Sequence, residues 1–285
     1  MTKVNKEFRH KKSLGQNFMM DKNVARKIVE NSGIGEEDEV LEIGPGTGFL
    51  SKEILKVAKK VTAVEIDERL VEYLREEFAD EERFEIIHHD FLTFDITELA
   101  KRSKKKLKVI GNIPYHITSQ ILIHVFDHFK SVETLTATLQ KEVADRLLSP
   151  PGSKSYGILS VYTSLFSKSE KLFNISRGVF NPKPKVESSA IKLTLREKLP
   201  DDITDLDLLK QVIRTTFGKR RKMLRNSLKG VADCVSYLEE VGFDLTRRPE
   251  TLDVKGFIEL TNAVKDWKEK EINVESGTIL SRERI

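Results

Sequence analysis

The sequence predicts an α/β protein: a doubly wound, mainly parallel sheet closed by antiparallel final strands, followed by a small all-helical C-terminal domain. Three observations carry that prediction. From about Asp21 to Leu195, short apolar runs alternate with segments of helical periodicity, as in successive βαβ units. A glycine-rich turn, Gly44-Pro45-Gly46-Thr47-Gly48, separates the first strand-like run from the helix after it. Beyond Leu195 no convincing strand remains.

Each element has its own signal. Val24, Ile28 and Val29 mark one face of a first helix, and Glu39–Ile43 reads as a short strand. Phe49, Leu50, Ile54, Leu55 and Ala58 recur at helical spacing. A strand over Val61–Ile66 leads into a helix over Asp67–Phe78 with Leu70, Val71 and Leu74 inward. Phe84–Ile87, Leu107–Ile110 and Leu135–Leu139 are further strands, with helices near Thr118–Phe129, Lys141–Leu148 and Tyr156–Phe166. Leu172–Ile175 and Ala190–Leu195 read as the antiparallel pair that closes the sheet. Lys198–Asp202 is a polar linker. After it, Leu206, Leu209, Val212, Ile213 and Phe217 form one amphipathic face, opened by Thr204 with Asp207 three residues on. Helices follow at Lys222–Leu228, Cys234–Val241 and Asp253–Val264. The expected domains are 1–197, a helical domain over 198–268, and a polar, frayed tail over 269–285.

Composition excludes several classes. Of the 285 residues 39% are hydrophobic, enough for a sizeable core. No apolar run approaches a membrane span or a signal peptide. The single cysteine, Cys234, excludes an internal disulfide and a multi-cysteine zinc site, and points to a reducing compartment, the cytoplasm. His124 and His128 share a helix face, but no third ligand is placed, so no metal is expected. The net charge of +4 is mild, so a nucleic-acid reading must rest on clusters. One lies near the N-terminus: Lys3, Lys6, Arg9, Lys11 and Lys12.

The glycine turn has G-x-G-x-G spacing rather than the G-x-G-x-x-G of a dinucleotide site. Gly44 and Gly46 let a ligand approach the main chain. Glu42, just before the turn, would repel phosphates but suits an ammonium or sulfonium group. Glu65 ends the second strand, where a carboxylate can accept from both ribose hydroxyls. Asp90 ends the third, beside Phe91; this pair suits adenine, the acid taking the N6 amine and the ring packing on the base. Each feature alone is ordinary, but glycine loop, Glu and Asp on consecutive strands together resemble the Rossmann-like, S-adenosylmethionine-binding half of class I methyltransferases. A nucleotide dehydrogenase is the alternative.

The fourth strand runs into Asn112-Ile113-Pro114-Tyr115. An exocyclic adenine amine is a poor nucleophile because its lone pair is delocalised into the ring. Hydrogen bonds from the amine to the Asn112 amide oxygen and to a backbone carbonyl at Ile113 or Pro114 would localise that pair, while Tyr115 stacks on the base. Further on, Phe180-Asn181-Pro182-Lys183-Pro184-Lys185 combines a stacking ring, a proline-stiffened loop and two cations for phosphates. The competing reading is a rigid surface loop whose Phe180 caps the core.

With Leu14-Gly15-Gln16-Asn17-Phe18-Met19, these motifs resemble the rRNA adenine N6,N6-dimethyltransferases over about Lys12 to Val264. The resemblance implies S-adenosylmethionine as cofactor, held by Asn17, Met19, Gly44, Gly46, Glu65, Asp90, Phe91 and Asn112. It implies a catalytic group of Asn112, Pro114, Tyr115 and Phe180. Met19 stands where the family usually has Leu, and Ile113 where the small-subunit branch often has Leu. Three strings resemble those of the small-subunit branch: Gln140–Leu147, Lys154–Val161 and Arg220–Leu228. The last belongs to a segment, Arg214 to Arg225, with six basic residues and no acid. RNA contacts are expected at Lys183, Lys185, Lys219, Arg220, Arg221, Lys222 and Arg225, the last five on a basic helix. The expected activity is dimethylation of two adjacent adenosines in the 3′-terminal hairpin loop of small-subunit (16S) rRNA, on an immature 30S particle, by a monomer. Erm-type methylation of 23S rRNA and a non-catalytic RNA-binding assembly factor are the alternatives.

Overall fold

The computed structural model describes residues 16–231 and 233–282. The basic N-terminal residues Lys3 to Lys12, and Leu14 and Gly15 of the first motif, lie outside the described residues. The chain divides into two compact units, Met1–Leu148 with Phe166–Glu197, and Ser149–Leu165 with Lys198–Ile285.

The first unit begins with a two-residue strand, β1 (Phe18–Met19). Asp21 accepts from the N–H groups of Asn23 and Val24 to start α1 (Lys22–Ser32). The elements then alternate: β2 (Glu39–Ile43), α2 (Phe49–Ile54), β3 (Lys60–Glu65), α3 (Glu68–Glu77), β4 (Phe84–His88), α4 (Ile96–Ser103), β5 (Leu107–Asn112), α5 (Thr118–Asp127), β6 (Val132–Gln140) and α6 (Lys141–Leu147). Three strands, β7 (Ser167–Ile175), β8 (Phe180–Asn181) and β9 (Ser188–Leu195), complete the unit. Helix α4 has no counterpart among the helices expected from the sequence. Asp95 caps it by accepting from Glu98 N–H, and Ile96 and Leu99 are its buried positions.

The main sheet has seven strands in the order β4-β3-β2-β5-β6-β9-β7. The first five are parallel, and β9 runs antiparallel to both β6 and β7. Val40, Leu41 and Ile43 are buried, as expected for a central strand covered on both faces. The order reverses between β2 and β5, whose C-terminal ends pair Ile43 with Gly111. Such a switch point opens a crevice for a ligand. Gly111 is needed there, because a Cβ would lie 2.7 Å from the Ile43 carbonyl oxygen.

The two short strands outside the main sheet pair with each other. Phe18 stands opposite Asn181 and Met19 opposite Phe180. The Gln-Asn-Phe-Met segment and the proline-lysine loop, read separately in the sequence, therefore form one antiparallel ribbon, extended by Met20 N–H donating to the Val179 carbonyl at 2.8 Å.

The second unit is helical: α7 (Ile158–Phe166, all but its last residue), α8 (Leu206–Gly218), α9 (Leu224–Ser227), α10 (Val235–Glu240) and α11 (Val254–Arg282). Placing 149–165 in the methyltransferase domain is corrected here. Gly152 N–H donates to the Glu250 carbonyl at 2.6 Å, and the Tyr156 hydroxyl donates to the Leu252 carbonyl at 2.8 Å. The Tyr156 and Phe217 rings lie 6.1 Å apart. Asp205, rather than Thr204, caps α8 by accepting from Leu208 N–H; Thr204 instead donates to the Asn262 side chain. The expected tail from 269 continues α11 through Arg282. Cys234 is buried in this unit beside Leu238. Among the described residues no helix is long and apolar enough to cross a membrane.

Candidate active site

At the switch point lies a cavity of about 200 Å³ in the first unit. Its walls include Asn17, Gly44, Gly46, Glu65, Asp90, Phe91, Asn112, Pro114 and Tyr115. The sheet topology gathers the ends of β2, β3, β4 and β5 there, and the ribbon brings Asn17 and Phe18 across from the other side.

The glycine turn is shaped by packing as well as by conformation. Gly46 has φ 58°, and a Cβ on it would lie 2.9 Å from the Phe18 ring. Its N–H donates to Glu65 Oε2 at 3.4 Å, and the other oxygen of Glu65 accepts from Ile66 and Asp67 N–H, both at 3.0 Å. Burial raises the Glu65 carboxyl above its usual range; these backbone donors oppose that shift. Asp90 accepts from Leu92 N–H at 2.9 Å to start the turn that carries Phe91, whose ring meets His124 edge-on at 5.5 Å. His124 bonds the Phe94 carbonyl at 2.9 Å, so it works as a packing residue.

Glu42 is 1% exposed, and its Oε2 has no hydrogen-bond partner. Burial pushes its carboxyl up to about 8; the Ser51 hydroxyl opposes the shift, and the nearby Glu65 adds to it. Glu42, Met19, Gly44 and Gly46 line a smaller cavity of about 30 Å³ that shares Phe18, Gly44, Gly46 and Asn112 with the larger one. An orphaned carboxyl oxygen here fits a cationic group, whose charge would favour the ionised form.

Asn112 is fixed from two sides. Its Nδ2 donates to the Asn17 carbonyl at 2.7 Å, and its Oδ1 accepts from the Thr138 hydroxyl. The Pro114 carbonyl already accepts from Thr118 Oγ1 at 3.1 Å and from Ile117 N–H at 3.3 Å. Of the two backbone carbonyls left open by the sequence, Ile113 is therefore the one suited to an incoming amine. The Tyr115 hydroxyl bonds Ser188 Oγ at 2.7 Å, and burial raises its pKa. Gln16 ties the N-terminal segment to the base of α3 through Asp67, at 3.1 Å.

Of the predicted site residues, Phe180 stands elsewhere and Met19 stands only at the smaller cavity. Phe180 is 4% exposed and packs in a hydrophobic cluster with Met19, Ala25 and Ile28, so it forms no wall of the larger cavity and presents no ring to it. Pairing with β1 turns this side chain into the core. Met19 belongs to the same cluster and reaches only the smaller cavity. Conversely, sequence reasoning missed Ile66, a cavity wall that is 47% exposed. Its signal was an isoleucine directly after the strand-end Glu65.

The cationic residues divide. Lys183 and Lys185 are exposed on the loop between β8 and β9. The basic helix is a correction: 219–223 form the turn between α8 and α9. Lys219, Arg221 and Lys222 are exposed there, just after the C-terminus of α8, where cations are favoured. Arg220 is not free for phosphate. It donates to the Lys154 carbonyl at 2.7 Å, the Ser153 carbonyl at 3.2 Å and Glu250 at 3.3 Å, within the second unit. Arg225 is paired with Glu239.

Strand order, glycine turn and strand-end acids define a class I S-adenosylmethionine-dependent methyltransferase. A sequence-family model described as "Ribosomal RNA adenine dimethylase" matches residues 7–263, and the chain belongs to that family. It is 44% identical over 260 residues to the ribosomal RNA small subunit methyltransferase A of Caldanaerobacter subterraneus subsp. tengcongensis, covering 89% of this chain and 97% of that one. It is 42% identical over 259 residues to the protein of that name from Chlorobium phaeobacteroides, covering 89% and 95%. A dimethyladenosine transferase from Plasmodium falciparum superposes with a TM-score of 0.73 at 26% identity, covering 89% of this chain and 98% of that one. The 23S rRNA methyltransferase ErmE gives 0.62 at 26% identity, covering 87% and 100%.

Proposed function

We propose that this protein transfers methyl groups from S-adenosylmethionine to N6 of two adjacent adenosines in the 3′-terminal hairpin loop of small-subunit rRNA, as a cytoplasmic monomer acting on an immature 30S particle. The observation that carries the chemistry is the Asn112 amide, held by Asn17 and Thr138 at the wall of the cavity formed by the glycine turn and the strand-end acids. The small-subunit substrate is supported by relatives of that name at 44% and 42% identity.

The cofactor fits the residues present. Glu65 would take the ribose hydroxyls, Asp90 and Phe91 the adenine, Ile66 the opposite base face, and the unpartnered Glu42 oxygen the ammonium end. When bound, it supplies a methyl group on a good sulfonium leaving group. The Asn112 oxygen has two lone pairs, one of them used by Thr138, so one remains for an N–H of the target amine. With the Ile113 carbonyl taking the other N–H, the nitrogen lone pair turns out of conjugation. Tyr115 holds the base by stacking, without help from Phe180. The methylated nitrogen is acidic enough to lose its proton to water, so no strong general base is needed.

Asn112→Ala tests this. Cofactor affinity should weaken only modestly and RNA affinity should hold, being mainly phosphate-based. Single-turnover transfer at saturating cofactor should slow about 100- to 1,000-fold. A variant that binds both ligands and transfers at the parental rate would remove the catalytic role.

A further inference from the structure

We propose that Thr138 is a positioning residue that anchors the oxygen end of the Asn112 amide through its side-chain hydroxyl. The inference rests on the reading of Asn112 given above. Thr138 lies on β6 directly opposite Asn112 in the parallel register and is 1% exposed. Its carbonyl accepts from Ile113 N–H at 3.2 Å, fixing the backbone just past Asn112, and its hydroxyl donates to Asn112 Oδ1. The amide nitrogen faces the Asn17 carbonyl at 2.7 Å. That carbonyl accepts only, so a flipped amide would oppose two oxygens. The Asn17 carbonyl thus selects the amide orientation, since a hydroxyl can accept as well as donate, and the Thr138 hydroxyl anchors Oδ1, whose remaining acceptor capacity is left for the target amine. Without the hydroxyl, the oxygen end loses its tether and the amide rotates away from the geometry that transfer requires.

The same strand carries its own control. Thr134 and Thr136 precede Thr138 at alternate positions, so all three share one face of β6, and the hydroxyls of the first two are buried without a partner. Strand propensity and packing favour threonine or valine at all three positions, but only at 138 does the hydroxyl reach Asn112.

The test compares Thr138→Val, Thr138→Ser, Thr136→Val, Asn112→Ala and the Asn112→Ala/Thr138→Val pair. Each full-length protein is assayed by single-turnover methyl transfer to unmethylated small-subunit particles. Cofactor and RNA affinities and the thermal midpoint are measured alongside. Thr138→Val should transfer about tenfold more slowly, with both affinities within about twofold of the parent. Thr138→Ser should recover most of the rate, and Thr136→Val should leave it unchanged. In the Asn112→Ala background, Thr138→Val should add nothing. A folded Thr138→Val variant at the parental rate overturns the proposal. So does a loss that serine fails to rescue, or one that persists undiminished in the Asn112→Ala background. An Asn112→Ala variant at the parental rate overturns the catalytic reading itself, and is seen in that single variant whatever Thr138 does.

Discussion

Replacing Glu42 with glutamine should stabilise the ligand-free protein, and by more at pH 8 than at pH 5. The carboxyl is buried with one oxygen unpartnered, and its pKa stands at about 8 against an ordinary 4.5. Below pH 4.5 folded and unfolded chains both carry the proton, and burial of this group adds no pH dependence. Between 4.5 and about 8 the unfolded chain is ionised while the folded one retains the proton. Folding then takes up a proton, and stability falls as pH rises, by about 1.36 kcal/mol per unit. From pH 5 to pH 8 the wild-type protein should lose about 3–4 kcal/mol relative to Glu42→Gln, which has nothing to titrate there. Urea denaturation of both proteins at pH 5, 6.5 and 8 isolates this group and its coupling to Glu65, because the titrations of groups that do not sense Glu42 cancel in the difference. A difference that stays constant across the three pH values would refute the reasoning. The same variant should bind S-adenosylmethionine more weakly, since the ionised form is what a bound ammonium would meet.

Other outcomes follow from the geometry. Glu65→Ala should weaken cofactor binding by about 10- to 150-fold in calorimetry, the equivalent of hydrogen bonds to one charged group, with unchanged affinity removing Glu65 from the site. Arg221→Ala and Lys222→Ala should each lower the magnitude of the slope of log K against log salt for RNA binding by about 0.7–0.9 without altering stability. Arg220→Ala should do the reverse, costing about 1–3 kcal/mol in denaturant unfolding while leaving that slope alone. Phe180→Ala should cost about 3–5 kcal/mol, as for a buried ring; a loss below about 1 kcal/mol would show that the ring is not packed in the core.

Most of the parallel sheet was legible because its signals are local. Runs such as Glu39–Ile43 carry apolar residues on both faces, and the glycine turn announces the strand end. The strand-end acids Glu65 and Asp90 were readable for the same reason: chain order alone puts them at one sheet edge. The readings that needed correction depend on distant partners. Phe180 has the composition of a stacking ring, and only its pairing with Met19, far earlier in the chain, turns it inward. Arg220 is one of four consecutive basic residues, and nothing nearby marks it as the one that reaches Ser153, Lys154 and Glu250. The segment 149–165 joins the helical unit through Tyr156 and Gly152, whose acceptors are about a hundred residues away. Thr138 was invisible for a related reason: an Asn-Ile-Pro-Tyr motif does not say which neighbouring strand will hold its amide.

The pairing of β1 with β8 also sets an order of events during synthesis. The glycine turn and both strand-end acids are translated within the first third of the chain, but Asn17 and Phe18 reach their places on the cavity wall only when residues 180 and 181 are available to pair with them. A contact spanning that much sequence forms late, because its loop-closure entropy must be met before it is rewarded. A nascent chain that has emerged only as far as β6 therefore holds the acids and the turn without the ribbon that completes the pocket. Capture of S-adenosylmethionine becomes a report that the whole first unit has closed, and the protein should gain its cofactor after release of β8 and β9 from the ribosome rather than while its early strands are still emerging.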